Sequence, residues 1–260
     1  MLNLTYKKVI LCSVNSLSKQ VAINKIISWA TCHRSAYVVF ANTHVIVSAF
    51  QNHSYLNTVN SANLILPDGA PVAWMIRRLG NAYQRRLSGP DLMIDLCLHC
   101  QKIGISIYLY GSTEKNLTNL KTYLNHKFPR LIIAGAESPP FRPLSKQEFS
   151  DTAFRINSSG AGVVFVGLGC PKQEFWMSKQ RMAVNAVMLG VGAAFDFYSG
   201  TSKRAPLWMR NNGLEWFFRL CSEPRRLWKR YLVTNSLFII LAIKQLCEEY
   251  TKMLFKLKSI

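Results

Sequence analysis

Gly162-Val163-Val164-Phe165-Val166-Gly167-Leu168-Gly169-Cys170-Pro171-Lys172-Gln173-Glu174 decides the reading of this chain. A short β-branched and aromatic run ends in two glycines, and a proline then opens a polar, helix-like segment over 171–182. That is one strand-to-helix unit, with Pro171 suited to the first helical position. Working outward, the same unit recurs. Apolar runs at Tyr37–Phe40, Leu64–Leu66, Ile105–Tyr110, Leu131–Ala134 and Ala186–Leu189 read as buried strands. Helical patterns near 44–58, 70–79, 90–103, 113–126 and 145–157 lie between them. Strands alternating with helices predict an α/β fold: a parallel, Rossmann-like sheet covered on both faces.

The alternation stops at Ser199-Gly200-Thr201, and from Pro206 the pattern is helical and basic. We therefore expect an α/β catalytic domain over 1–200 and a helical appendage over 201–260. The chain carries 32 Lys+Arg against 13 Asp+Glu, a net charge of +19. Residues 201–260 hold 12 basic and 4 acidic residues, a net of +8 in less than a quarter of the length. An excess of this size points to an anionic partner: nucleic acid, a membrane surface or a phosphorylated substrate. Trp, Phe and Leu interleave with the cations of the tail, which favours a membrane surface. The longest uncharged stretch there, Tyr231–Ile243, is shorter than the ~20 residues a bilayer span needs, so a peripheral protein is expected. The run Val9–Cys12 behind Lys7 and Lys8 is too short for a secretory signal.

The seven cysteines are scattered and odd in number, which reads as reduced thiols in a cytosolic protein. Cys97 and Cys100 form a single CxxC inside a helical pattern. With no second pair, no zinc site is expected.

In an open α/β sheet, ligands bind beyond the carboxyl ends of the strands. Four such segments carry polar groups. Ala41-Asn42-Thr43-His44 offers Asn42, Thr43 and His44, either as a helix cap or as substrate contacts. Leu66-Pro67-Asp68-Gly69 offers Asp68, either as a cap or as a general base whose pKa burial would raise. Gly167 and Gly169 allow close backbone approach, Pro171 and Lys172 make an anion-binding turn, and Gln173 and Glu174 are suited to reading a base or a sugar. Gly190-Val191-Gly192-Ala193-Ala194-Phe195-Asp196 offers room at Gly192 and a carboxylate at Asp196, with tight helix–sheet packing as the plainer explanation. Tyr110-Gly111-Ser112-Thr113 is a weaker case of the same kind, with Gly111 at the strand end. The chain lacks GxGxxG and GK[ST], so neither a dinucleotide fingerprint nor a P-loop is present.

Taken in order, Leu66-Pro67-Asp68-Gly69, Arg86-Leu87-Ser88-Gly89-Pro90-Asp91-Leu92, Val166 to Glu174, Gly190 to Asp196, and Gly213-Leu214-Glu215-Trp216 with Glu223-Pro224-Arg225-Arg226 resemble the WecG/TagA/CpsF family of glycosyltransferases. The resemblance spans about 37–231. It implies inverting, metal-independent transfer of a sugar, N-acetylmannosamine or a related residue, from UDP to a polyprenyl-diphosphate-linked acceptor. No cofactor is expected. It makes Asp68 the catalytic base and assigns Asn42 and Arg86 to the substrate site. It places Gly167, Gly169, Lys172, Gln173, Glu174 and Asp196 in the nucleotide-sugar pocket, and Arg219, Arg225 and Arg226 at the acceptor and membrane side. Some relatives have Thr where this chain has Phe40, which leaves Thr43 or His44 to take that polar role. It also implies a peripheral place on the cytoplasmic face of a bacterial inner membrane; a homo-oligomer stays open.

No Asp-x-Asp pair occurs in the chain, so the common metal-chelating device of other glycosyltransferases is missing. Three other readings are weighed. A nucleotide-linked oxidoreductase on a Rossmann-like sheet is opposed by the missing GxGxxG. A nucleic-acid-binding protein accounts for the charge, but helix-turn-helix, zinc-finger and RNP signals are absent, so no nucleic-acid partner is expected. A non-catalytic, nucleotide-binding protein at the membrane is opposed by Asp68.

Overall fold

The apolar runs become strands because both of their faces are covered. In the computed structural model, which describes residues 5–258 and side chains to residue 255, alternate strand residues feed two separate cores. Tyr37, Val39, Tyr110, Val164, Val166 and Met188 enter one. Val38, Phe40, Leu109, Phe165 and Leu189 enter the other. The outermost residues of the expected domains, 1–4 and 259–260, lie outside the described residues.

A short antiparallel hairpin, β1 (Tyr6–Val9) and β2 (Cys12–Asn15), opens the chain, followed by α1 (Lys19–Thr31). Then come β3 (Ala36–Ala41), α2 (Thr43–Gln51), α3 (His53–Asn60), β4 (Leu64–Pro67), α4 (Ala70–Arg78) and α5 (Gly89–Ile103). The second half continues with β5 (Ile107–Gly111), α6 (Glu114–Lys127), β6 (Ile133–Glu137), α7 (Lys146–Ser158), β7 (Val163–Gly167), α8 (Lys172–Gln180), β8 (Val187–Gly190) and α9 (Ala194–Tyr198). Three helices close the chain: α10 (Leu207–Asn211), α11 (Glu215–Ser222) and α12 (Pro224–Lys258).

The main sheet has six strands in the order β4-β3-β8-β7-β5-β6, and every pairing in it is parallel. The α/β expectation holds. All six carboxyl ends therefore open on one edge, where the ligand site of such a sheet forms. Close approach of β5 to β7 is bought by glycine: Gly111 has φ +120°, and a Cβ there would stand 2.7 Å from the Gly167 backbone.

The structure departs from the sequence reading in four places. The hairpin and α1 were not anticipated. The helix expected over 44–58 is two helices, because Asn52 turns extended at φ −138° and its side chain accepts from Tyr55 N to start α3. Pro171 stands one residue ahead of α8 as its cap, so Lys172 is the first helical residue. Finally, α12 is one continuous helix of 35 residues, and by length and composition alone it is apolar enough to cross a membrane. The expected shortfall came from counting only uncharged residues.

The packing of α12 gives that length another use. Phe238 and Ala242 are buried in the core beside α2. Asn235 accepts from the Thr43 hydroxyl at 3.1 Å, and the Gln245 amide bonds Ile10 N and Lys8 O of the hairpin. One stripe is committed to protein, while Leu232, Val233 and Ile240 stay more than half exposed along another, and the equally exposed Ile239 and Ile243 lie at the border between the two. A helix with one face fixed along the core lies on the molecule and presents its other face outward.

Candidate active site

The edge where the strands end carries a cavity of about 1110 Å³. The core supplies its floor: Asn42 after β3, Asp68 after β4, Gly190 to Gly192 after β8, Gly167 to Gly169 after β7, and Ser112 after β5. The opposite wall comes from α11 and α12, through Trp216, Arg219, Arg226, Arg230, Tyr231 and Phe238.

Asp68 continues the β ladder, its N–H donating to Ala41 O at 3.0 Å. It does not cap α4, whose N-cap position is Gly69 with no side-chain cap bond, so the capping alternative falls. Burial pushes its carboxyl up to about 6, with Arg86 pulling down and Glu215 and Asp91 pushing up. A carboxylate in that range is ionised at neutral pH and basic enough to take a hydroxyl proton.

Arg86 reaches this floor because Leu87 N donates to Pro67 O at 2.8 Å, which pins its loop to the end of β4. Its guanidinium then bonds Glu215 Oε2 at 2.9 Å, across from the core to α11. Asp91 gathers Arg204 at 2.8 Å and Arg210 at 3.1 Å, and both arginines come from beyond residue 200. Arg204 approaches Glu215 as well, at 3.9 Å. Five charged groups thus sew the segment after α9 onto the central Arg86–Asp91 motif. Asp91 is held below its ordinary value: although burial opposes this, the Ser88 hydroxyl and Arg204 prevail.

Opposite the floor, Arg219, Arg226 and Arg230 line the cavity together. The Nε atoms of Arg219 and Arg230 are buried with no hydrogen-bond partner among the described residues. Burial lowers the Arg230 pKa, with Arg219 and Arg226 adding repulsion. Unspent donors and mutual repulsion make this a place for an anion with several oxygens. His44 stands near Arg230 and is pushed down to about 4 by burial and that arginine, so it is neutral at pH 7. Asp196 accepts from the Asn116 amide at 3.2 Å; burial raises its pKa while Arg226 lowers it.

Of the residues singled out in the sequence, Asn42, Thr43, His44, Asp68, Arg86, Gly167, Gly169, Gln173, Gly192, Asp196, Arg219 and Arg226 line this one cavity. Asn42 is also a helix cap, accepting from Val45 N at 3.1 Å. Thr43 spends its hydroxyl on Asn235, and Phe40 is buried in the core while lining the cavity floor. Gly111, Pro171, Lys172, Glu174 and Arg225 stand outside the lining. Gly111 serves the β5–β7 contact, Lys172 and Arg225 are exposed, and Glu174 is fully buried in α8 next to Gln173. Arg230 was missed, although it lies four residues beyond Arg226 and so on the same helix face.

Among known proteins, residues 7–252 match the model of the glycosyl transferase WecG/TagA/CpsF family. This chain belongs to that family. It is a glycosyltransferase. Two relatives bear the name N-acetylglucosaminyldiphosphoundecaprenol N-acetyl-beta-D-mannosaminyltransferase. The one from Bacillus subtilis is 34% identical over 198 residues, 76% of this chain and 75% of its own. The one from Bacillus spizizenii is 33% identical over 201 residues, 77% and 76% of the two chains.

Proposed function

We propose that this glycosyltransferase moves an N-acetylmannosamine-type or related hexose from a UDP-sugar to a polyprenyl-diphosphate-linked sugar, with inversion and without a metal. The observation that carries the reading is the pairing, across one cavity, of the raised carboxyl of Asp68 with Arg219, Arg226 and Arg230. The names of the two Bacillus relatives support the acceptor and sugar classes.

Inversion is one displacement at the anomeric carbon. Asp68 takes the acceptor hydroxyl proton as the new carbon–oxygen bond forms, and the bond to the UDP oxygen breaks with its electron pair leaving on the diphosphate. The charge that develops there meets the arginine wall, whose unbonded Nε donors are already in place. Glycines 167 and 169 let the nucleotide approach the strand ends, and Arg86 holds position beside the base.

Residues 1–200 form the catalytic unit in this reading, and 201–260 form an appendage that completes the site and rests on the anionic cytoplasmic face of a bacterial inner membrane. The exposed apolar stripe of α12 and the basic excess of the tail support that placement, since a lipid-linked acceptor must be met at its bilayer. The outcome belongs to surface-polysaccharide synthesis. A panel of UDP-sugars offered with polyprenyl-diphosphate-N-acetylglucosamine tests the proposal: one sugar should be transferred, in excess EDTA as well as without it. No transfer to any polyprenyl acceptor would overturn the acceptor class, and magnesium-dependent recovery would overturn the metal-free step.

A further inference from the structure

At the start of α8, beside the cavity floor, stand two adjacent polar residues that no step above uses fully. Gln173 is 6% exposed and Glu174 fully buried. The Gln173 amide nitrogen donates to Glu174 Oε1 at 2.8 Å and to Gly190 O at 2.9 Å, so both of its hydrogens are spent. Its carbonyl oxygen, Oε1, is buried and accepts no hydrogen bond among the described residues. Gln173 lines the cavity, and a Cβ on Gly192, also in the lining, would lie 3.5 Å from that oxygen. A Cβ on Gly190 would come 2.9 Å from the amide nitrogen, so this fit requires glycine at the end of β8.

An amide has two faces of opposite sense, and a buried one is useful for recognition only if its orientation is fixed. Gly190 O and Glu174 Oε1 both accept, so they fix which end of the amide is the nitrogen and leave the carbonyl oxygen on the side of Gly192. The Tyr55 hydroxyl and Cys170 thiol, bonded to each other at 3.1 Å, stand beside the carboxyl. Burial raises the pKa of that carboxyl, and in either protonation state it keeps an oxygen able to accept from Gln173.

We propose that Glu174 is a positioning residue that fixes the Gln173 amide, so that Gln173 Oε1 accepts a hydrogen bond from an N–H or O–H of the nucleotide-sugar donor. This deepens the UDP-sugar reading and rests on it. The same chemistry is available from the uracil and ribose or from the transferred sugar. An acceptor-only contact discriminates by leaving a buried oxygen unpaired when the donor group is missing.

The test is calorimetric binding of UDP and of a UDP-N-acetylhexosamine to the full chain, with melting temperature recorded for each variant. Gln173→Met should weaken binding on the order of tenfold. Glu174→Met should match it, the double variant should lose no more than either alone, and Glu174→Gln, which retains an accepting oxygen, should bind within about threefold of the parent. A loss shared by UDP places the contacted group on the nucleotide; a loss confined to the UDP-sugar places it on the hexose. Parental affinity in Gln173→Met, additive losses in the double variant, or a Glu174→Gln as weak as Glu174→Met would each overturn the proposal. If Glu174→Met does not fold, Gln173→Met and Glu174→Gln decide it alone. A parent chain that binds neither ligand overturns the donor reading itself, and this inference with it.

Discussion

The two walls of the cavity differ in origin and in predominant charge, with Arg86 on the sheet side and Glu215 on the helical side as the exchanged pair between them. The sheet edge brings carboxylates: Asp68, fixed by its backbone bond to Ala41 at the end of β3, and Asp196, in the first turn of α9 just beyond β8. The helices after residue 200 bring cations, Arg219, Arg226 and Arg230, on side chains several bonds long. A base has to sit within hydrogen-bond reach of one proton, which suits a short side chain on a rigid strand end. A leaving diphosphate spreads its charge over several oxygens, which suits a set of long cationic arms. In the proposed reaction the contrast divides the work: the sheet side would supply the base, and the helices most of the charge that meets the leaving diphosphate.

Removing the base should break this arrangement most severely. Asp68→Asn should lower turnover by ~10² to 10⁴ with the fold intact. In the unaltered chain kcat/KM should rise with pH to a plateau above about 6, since Asp68 acts only when deprotonated. The same shift has a stability consequence of opposite sense. A carboxyl whose folded pKa lies above its unfolded value favours the fold at low pH and loses that advantage as pH rises through about 6. Asp68→Asn should therefore melt no lower than the parent at pH 8. A variant that turns over normally would take Asp68 out of the mechanism.

Next in size is the cationic wall. Arg219→Ala with Arg226→Ala should cost on the order of 10² in turnover, the scale of losing a preorganised donor to developing charge. Single-turnover kinetics should show the loss in the chemical step as well as in donor affinity. A defect cured entirely by saturating donor would reduce these arginines to binding residues.

The link between the walls gives a smaller, more diagnostic effect. Glu215 raises the Asp68 pKa and bonds Arg86, which lowers it. Glu215→Gln should thus move the acid limb of kcat/KM to lower pH by a fraction of a unit, because one repulsion disappears and Arg86 is freed. An unmoved limb would show that the two walls are electrostatically independent.

The sequence made these walls legible to different degrees. Strand ends announce themselves because an apolar run must stop and the next residue is polar or glycine. Asn42, Asp68, Gly167 and Gly192 were found that way, and all four line the cavity. Parallel strands buried on both faces gave the α/β class for the same reason. The hairpin Tyr6–Asn15 escaped because its strands have four residues each and only Val9, Cys12 and Val14 among them are buried. In the tail, periodicity marks a helix but not its facing. Arg225 and Arg226 are adjacent in sequence and about 100° apart on the helix, so only one of them can face the cavity. Lys172 likewise opens α8 but is exposed and outside the lining, which no spacing rule revealed.

Arg225 therefore offers the mildest and most discriminating test. It is exposed, outside the cavity, and at the start of the helix whose apolar stripe faces outward. If the tail rests on an anionic bilayer, each cation near the surface contributes about 1 kcal/mol, which is roughly fivefold in affinity and is screened by salt. Arg225→Ala should weaken sedimentation with phosphatidylglycerol vesicles by that factor at low salt and by less at high salt. Turnover on a detergent-dispersed acceptor should change less than about twofold, since no cavity contact is lost. Arg226→Ala should reverse the order, harming turnover more than vesicle binding. Equal effects of the two substitutions on both measurements would mean that the membrane-facing and diphosphate-facing sides of α12 are not separate, and the division of charge between the walls would need redrawing.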